Sequence, residues 1–113
     1  MNDRSIKKLQ LLKQSKHRKT KKQFIAEGKR LVEEAINYSS TVELIFCTQA
    51  FYNKNKNDWQ GFPKVKNTMI HIITDSQFKR ISSTSTPSGI AALCNVPRNH
   101  YIDFKESEWI YLD

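Results

Sequence analysis

Apolar residues in this chain fall in short clusters whose spacing alternates between about three and about two residues, the periods of helices and strands. Between Arg4 and Gln14, Ile6, Leu9, Leu11 and Leu12 recur at helical spacing among Lys and Gln, which predicts a short amphipathic helix. The next stretch, SKHRKTKKQ, has no apolar residue and crowds like charges together, so a loop is expected there. Gln23 to Glu27 (QFIAE) is a short apolar segment closed by Gly28, and in KRLVEEAINYS the residues Leu31, Val32, Ala35 and Ile36 share one helical face. That pattern is a strand followed by a helix. Val42 to Thr48 is rich in β-branched and aromatic residues and predicts a second strand, while AFYNKNKNDWQGF after it is a weak helix or an irregular connection. Met69 to Ile73 is a third strand. Thr74 and Gln77 have the spacing of a capping box, and Phe78 and Ile81 give the helix after them an apolar face. Thr86-Pro87-Ser88-Gly89 reads as a turn before a fourth strand, Ile90 to Val96. Strands alternating with helices imply an α/β fold, a three-layer α/β/α sandwich with parallel strand pairing.

Composition narrows this picture. The 113 residues suffice for one domain with a single core. No apolar run approaches the ~20 residues that cross a bilayer, and the N-terminus has no uninterrupted apolar segment before a small-residue cleavage site. A cytoplasmic location is the expectation. Cys47 and Cys94 sit inside apolar runs with no ligand-spaced Cys or His near them, so both are expected as buried thiols and neither a disulfide nor a metal site is expected. After Pro97 the chain turns polar through Arg98, Asn99 and His100 and closes on Trp109-Ile110-Tyr111-Leu112-Asp113. A domain seldom stops inside an apolar strand, so further chain is expected to follow.

Charge is distributed unevenly. Residues 1–30 hold eleven Lys/Arg against two Asp/Glu, a net +9, whereas the other 83 residues net −1. A localised positive field attracts a polyanion and releases counterions when it binds one. Nucleic acid is the first candidate. An anionic membrane surface is disfavoured, because the basic segment lacks the bulky apolar face that an interfacial helix inserts.

Within SKHRKTKKQ, Lys16, Lys19, Lys21 and Lys22 can neutralise phosphates, Arg18 can pair bidentately or stack on a base, and His17 can touch a phosphate or base. Lys29 and Arg30 can extend the patch, the alternative for one of them being a pair with Glu33 or Glu34. Glu27, the acid inside this basic region, is read as structural, holding a basic side chain or capping backbone N–H groups where strand meets helix. His71 is read as a strand residue; neither it nor His17 has a carboxylate or nucleophile at catalytic spacing. Ser85, Thr86 and Ser88 are read as turn residues, and Tyr38, Phe51, Tyr52 and Trp59 as core or rim aromatics. No residue is assigned to catalysis.

Two motif blocks, in order, carry a family resemblance. Lys16-His17-Arg18-Lys19-Thr20-Lys21-Lys22-Gln23-Phe24-Ile25-Ala26-Glu27-Gly28 with Arg30-Leu31-Val32-Glu33-Glu34-Ala35 resembles the opening of the SpoU/TrmH family of RNA 2′-O-ribose methyltransferases. Phe78-Lys79-Arg80-Ile81-Ser82 followed by Ser85-Thr86-Pro87-Ser88-Gly89-Ile90-Ala91-Ala92 is similar to that family's second block, and Ile110-Tyr111-Leu112-Asp113 resembles the first strand of its catalytic domain. The resemblance implies an N-terminal substrate-binding domain over residues 1–97 with the fold of kink-turn-binding ribosomal proteins (L-thirty-e-like). Residues 98–113 would then be a linker and the first strand of a C-terminal SPOUT (knotted) methyltransferase domain. In the family that further domain binds S-adenosylmethionine, forms the homodimer and carries the catalytic Arg and Asn motifs. The chain itself would take no cofactor and would bind structured RNA, rRNA or tRNA, without methylating it. The alternative is a stand-alone kink-turn-type RNA-binding protein of the ribosomal kind.

Overall fold

The computed structural model describes residues 1–38, 42–59, 65–66 and 69–96. The linker and strand expected after Pro97 lie outside the described residues. In chain order the elements are α1 (Asp3–Leu11), α2 (Ser15–Lys21), β1 (Gln23–Glu27), α3 (Lys29–Tyr38), β2 (Val42–Thr48), α4 (Gln49–Asn55), β3 (Ile70–Ile73), α5 (Asp75–Ile81) and β4 (Ile90–Asn95). The four strands form one sheet in the order β1-β4-β2-β3.

Side chains alternate across the sheet, as strand geometry requires. Phe24, Ala26, Ile45, Cys47, Ile90, Ala92 and Cys94 face one layer, where Val32 of α3, Phe51 of α4 and Trp59 complete a core. Ile25, Phe46, Ala91 and Leu93 face the other layer, against Ile6, Leu9 and Leu12 from the α1 segment and Phe78 and Ile81 of α5. Both faces are covered, which is why these strands read as nearly unbroken apolar runs and why the three-layer α/β/α sandwich is the fold. Both bonds of the expected capping box form: Thr74 Oγ1 accepts from Gln77 N–H at 3.0 Å, and Gln77 Oε1 accepts from Thr74 N–H at 3.0 Å. Arg80 ties α5 to α1, with 2.6 Å to Asp3 Oδ1 and 3.0 Å to Gln10 Oε1.

Strand direction departs from expectation. β2 and β3 pair parallel, but β4 lies between β1 and β2 and runs antiparallel to both. The cause is the connection before β4. Helix α5 has only seven residues, about 10 Å of rise, and residues 82–89 then return the chain to the end at which β3 finished. There Gly89 O accepts from Thr48 N–H at 3.0 Å and Ile90 O from Gly28 N–H at 2.9 Å. β1, β2 and β3 therefore share one direction, and their carboxyl ends meet where β4 begins.

The second departure is α2, a helix where a loop was expected. Lys, Arg and Gln are good helix formers, and the charge crowding is relieved because Arg18 turns inward while the lysines fan outward. Lys22, in the left-handed region at φ 55°, ends the helix with its N–H on Arg18 O. The short 49–55 segment resolves as helix α4, with Thr48 Oγ1 accepting from Phe51 N–H.

Cys47 and Cys94 are fully buried, and burial pushes their thiols up to about 11 and about 12. Both stay protonated at neutral pH. Native protein at pH 8 should leave a thiol reagent unreacted, whereas two thiols per chain react in denaturant; fast native reaction would contradict the packing. Because folding raises these values, their contribution to stability is complete below the ordinary thiol value of 9.0 and is lost as pH climbs towards 11 to 12.

Candidate nucleic-acid interface

The cationic segment is held by its own arginine. Arg18 is only 4% exposed, and its Nη1 donates to Leu12 O at 3.0 Å and Lys13 O at 2.8 Å, the carbonyls left at the end of α1. Of the residues expected to touch a ligand, Arg18 is thus the one placed inside, as the pin between α1 and α2. Lys16, Lys19, Lys21 and Lys22 are exposed and His17 is half-buried. Lys8 on α1 and Lys13 in the turn after it, also exposed, continue the surface. Val96 N–H donates to Lys22 O at 2.8 Å, so the end of β4 leaves the sheet beside this helix.

Lys29 and Arg30 do not extend that patch. They begin α3 at the far end of β1, whose five residues at ~3.3 Å each separate them from Lys22 by about 17 Å. Arg30 pairs with Glu34 at 3.5 Å. Lys29 Nζ lies 5.9 Å from the centroid of the Phe51 ring.

Glu27 is structural, but its partners lie across the fold. Its carboxylate accepts from Ser82 Oγ at 2.5 Å and from Ser83 N–H at 3.1 Å, clasping the α5–β4 connection to the end of β1. Phe51 and Trp59 are buried, in an edge-to-face pair with centroids 5.8 Å apart, and Tyr52 is half-buried; all three belong to the core or its rim. The indole N–H of Trp59 donates to Glu33. His71 is a half-buried residue of β3. The side chain of Tyr38 lies outside the described residues. Among the described residues, no three His, Cys, Asp or Glu side chains gather at metal-binding distance, and no helix is long and apolar enough to cross a membrane.

Lys54 and Lys79 escaped the sequence reading. They come from α4 and α5 and stand with Lys29 around a cleft at the carboxyl ends of β1, β2 and β3. Counting charge by segment hides them, because the acids of the same stretch cancel them on paper.

A three-layer α/β domain with lysines gathered at both ends of its sheet is the class defined by fold and surface together. The family model described as the MRM3-like substrate binding domain matches residues 3–92, and the chain belongs to that family. A substrate-binding domain is what the two motif blocks led one to expect. The fold is similar to part of an RNA 2′-O ribose methyltransferase (TM-score 0.73, 24% identity, covering 85% of this chain and 36% of that one). It is similar also to a TrmH-family protein from Porphyromonas gingivalis described as an RNA methyltransferase (TM-score 0.66, 24% identity, 87% and 36% covered). A third likeness is to an rRNA methyltransferase from Sinorhizobium meliloti (TM-score 0.59, 18% identity, 85% and 35% covered). The chain thus spans about a third of the length of each of these proteins. No curated protein sequence matches it.

Proposed function

We propose that this chain is the RNA-binding domain of an S-adenosylmethionine-dependent RNA 2′-O-ribose methyltransferase of the TrmH family. The observation that carries the reading is the lysine-rich helix α2, anchored by buried Arg18, on a member of a substrate-binding family. Three solved structures of the same fold, two described as RNA methyltransferases and one as an rRNA methyltransferase, support it. Residues 1–97 grip a structured rRNA or tRNA, and residues 98–113 lead into a C-terminal SPOUT domain that dimerises and places the ribose for reaction. The cofactor supplies the methyl group in that further domain, and no residue of this chain is assigned to hold it. This chain contributes affinity and orientation, which is how a binding domain lowers a barrier it does not touch. The protein acts in the cytoplasm.

The test is equilibrium binding of the chain to structured RNA across a salt series, with anionic lipid vesicles as the second arm. Log affinity for RNA should fall linearly with log salt, and vesicles should bind negligibly. Absence of RNA binding at low salt, or preference for vesicles, would overturn the reading. Incubating the full-length protein with RNA and cofactor, then mapping the methylated ribose, identifies the substrate.

A further inference from the structure

Near the amino ends of β1, β2 and β3, the sheet face beneath α1 carries a groove of about 410 Å³. It crosses all four strands, touching Gln23 of β1, Leu93 of β4, Leu44 of β2 and His71 of β3. Three strand spacings of ~4.8 Å make it about 14 Å long. Ser5, Lys8, Leu9 and Leu12 line it at helical spacings of three and four residues, so one stripe of α1 and its cap forms the wall.

The floor is apolar, built from Leu9, Leu12, Leu44 and Leu93, while the exposed Lys8 and Lys21 stand at the rim. Among the described residues no acid lines the groove, and neither of these two lysines pairs with a carboxylate. Such a surface matches an extended peptide in which apolar residues two apart meet the floor and acids reach the rim.

The chain itself brings a peptide of that kind to this place. Val96 N–H donates to Lys22 O at 2.8 Å, and the neighbours of Lys22 on either side, Lys21 and Gln23, both line the groove. β4 therefore delivers the chain to the β1 end of the groove. Residues 97–100 can span about 13 Å at ~3.3 Å each, enough to turn back over the sheet face. The residues that follow are Tyr101-Ile102-Asp103-Phe104-Lys105-Glu106-Ser107-Glu108. Ile102 and Phe104 are two apart, and three acids against Lys105 give a net −2, opposite in sign to the rim. Four residues of extended chain match the length of the groove.

We propose that residues 101–108 dock in this groove of their own chain, with Ile102 and Phe104 on the leucine floor and the acids beside Lys8 and Lys21. The proposal stands on the groove and on the point where β4 ends, and it does not depend on RNA binding. For the enzyme proposed above, docking fixes where the further domain starts relative to α2, an orientation that a loose tether does not provide.

The test uses the whole 113-residue chain with Ser107→Cys carrying a nitroxide. Cys47 and Cys94 are buried, so the label goes to position 107 alone. Amide NMR signals of Lys8, Gln23, Leu44 and His71 should lose most of their intensity to the paramagnet, while those of Ser83 and Gly89, at the opposite end of the sheet, keep theirs. His71 is the decisive signal, because β3 is the strand farthest from the place where the chain leaves β4 beside β1. Adding Ile102→Ser and Phe104→Ser should restore it. A His71 signal undiminished in the first protein, or equally diminished in both, would overturn the proposal. A second copy is tested as the occupant by mixing isotope-labelled, unaltered chain with nitroxide-labelled chain of natural isotopic abundance. Loss of the His71 signal in that mixture would assign the groove to a partner copy and overturn docking within one chain. RNA is absent from these samples, so the RNA-binding reading stands or falls separately.

Discussion

Arg18→Ala should destabilise the domain by about 2–4 kcal/mol, although the residue lies in the most highly charged stretch of the chain. Its guanidinium satisfies the buried Leu12 carbonyl and the neighbouring Lys13 carbonyl at 3.0 and 2.8 Å. Alanine supplies no donor. Leaving a buried acceptor without a partner costs on the order of 1–3 kcal/mol, and the lost packing of the arginine stem adds to it. For a domain of this size that corresponds to a melting temperature lower by roughly 10–20 °C. Lys19→Ala, one residue along and exposed, should change stability by no more than about 0.5 kcal/mol. Thermal melts of the two variants give the comparison directly. Equal melting temperatures would show that Arg18 is not the pin between α1 and α2. Arg18→Lys should recover only part of the loss, because a single ammonium cannot reproduce a planar fork that reaches two carbonyls.

The same residue shows what sequence patterns reveal and what they conceal. Apolar periodicity is a local signal, and it located α1, α3, all four strands and the capped α5, because each buries an apolar face. Helix α2 buries only an arginine, so no apolar period marks it; it is fixed by bonds from Arg18 to carbonyls five and six residues earlier. The direction of β4 was also concealed. It depends on where residues 82–89 deliver the chain, a property of connection length and of the clasp between Glu27 and Ser82, residues 55 positions apart.

The candidate interface divides along the same line. A run of lysines is visible in sequence, so the α2 surface was expected, except that Arg18 was counted among the ligand contacts. The cleft was not expected, since Lys29, Lys54 and Lys79 meet only through the topology of the sheet. Lys29 and Arg30, adjacent in sequence, turn out to differ: Arg30 pairs with Glu34, while Lys29 faces the cleft.

Converting Lys16, Lys19, Lys21 and Lys22 together to glutamine should leave the fold intact and weaken RNA binding on the order of a hundredfold near physiological salt. Glutamine keeps the helix-forming character of positions 16, 19 and 21 and much of each side-chain stem, so what is removed is charge. If each lysine neutralises one phosphate of a single-stranded segment, four lost contacts lower the slope of log affinity against log salt by about 2.8. At ~0.15 M salt that slope corresponds to roughly 200-fold in affinity from counterion release alone. Arg18 stays unaltered in this variant, because changing it would mix lost affinity with lost structure. A matching melting temperature, within a few degrees of the parent, is therefore the control that makes the binding loss interpretable. The slope separates two physical roles for the helix. A fall in both affinity and slope means that the lysines meet phosphates, whereas a fall in affinity at constant slope means that they act through neutral hydrogen bonds, and the electrostatic account of α2 would then be wrong.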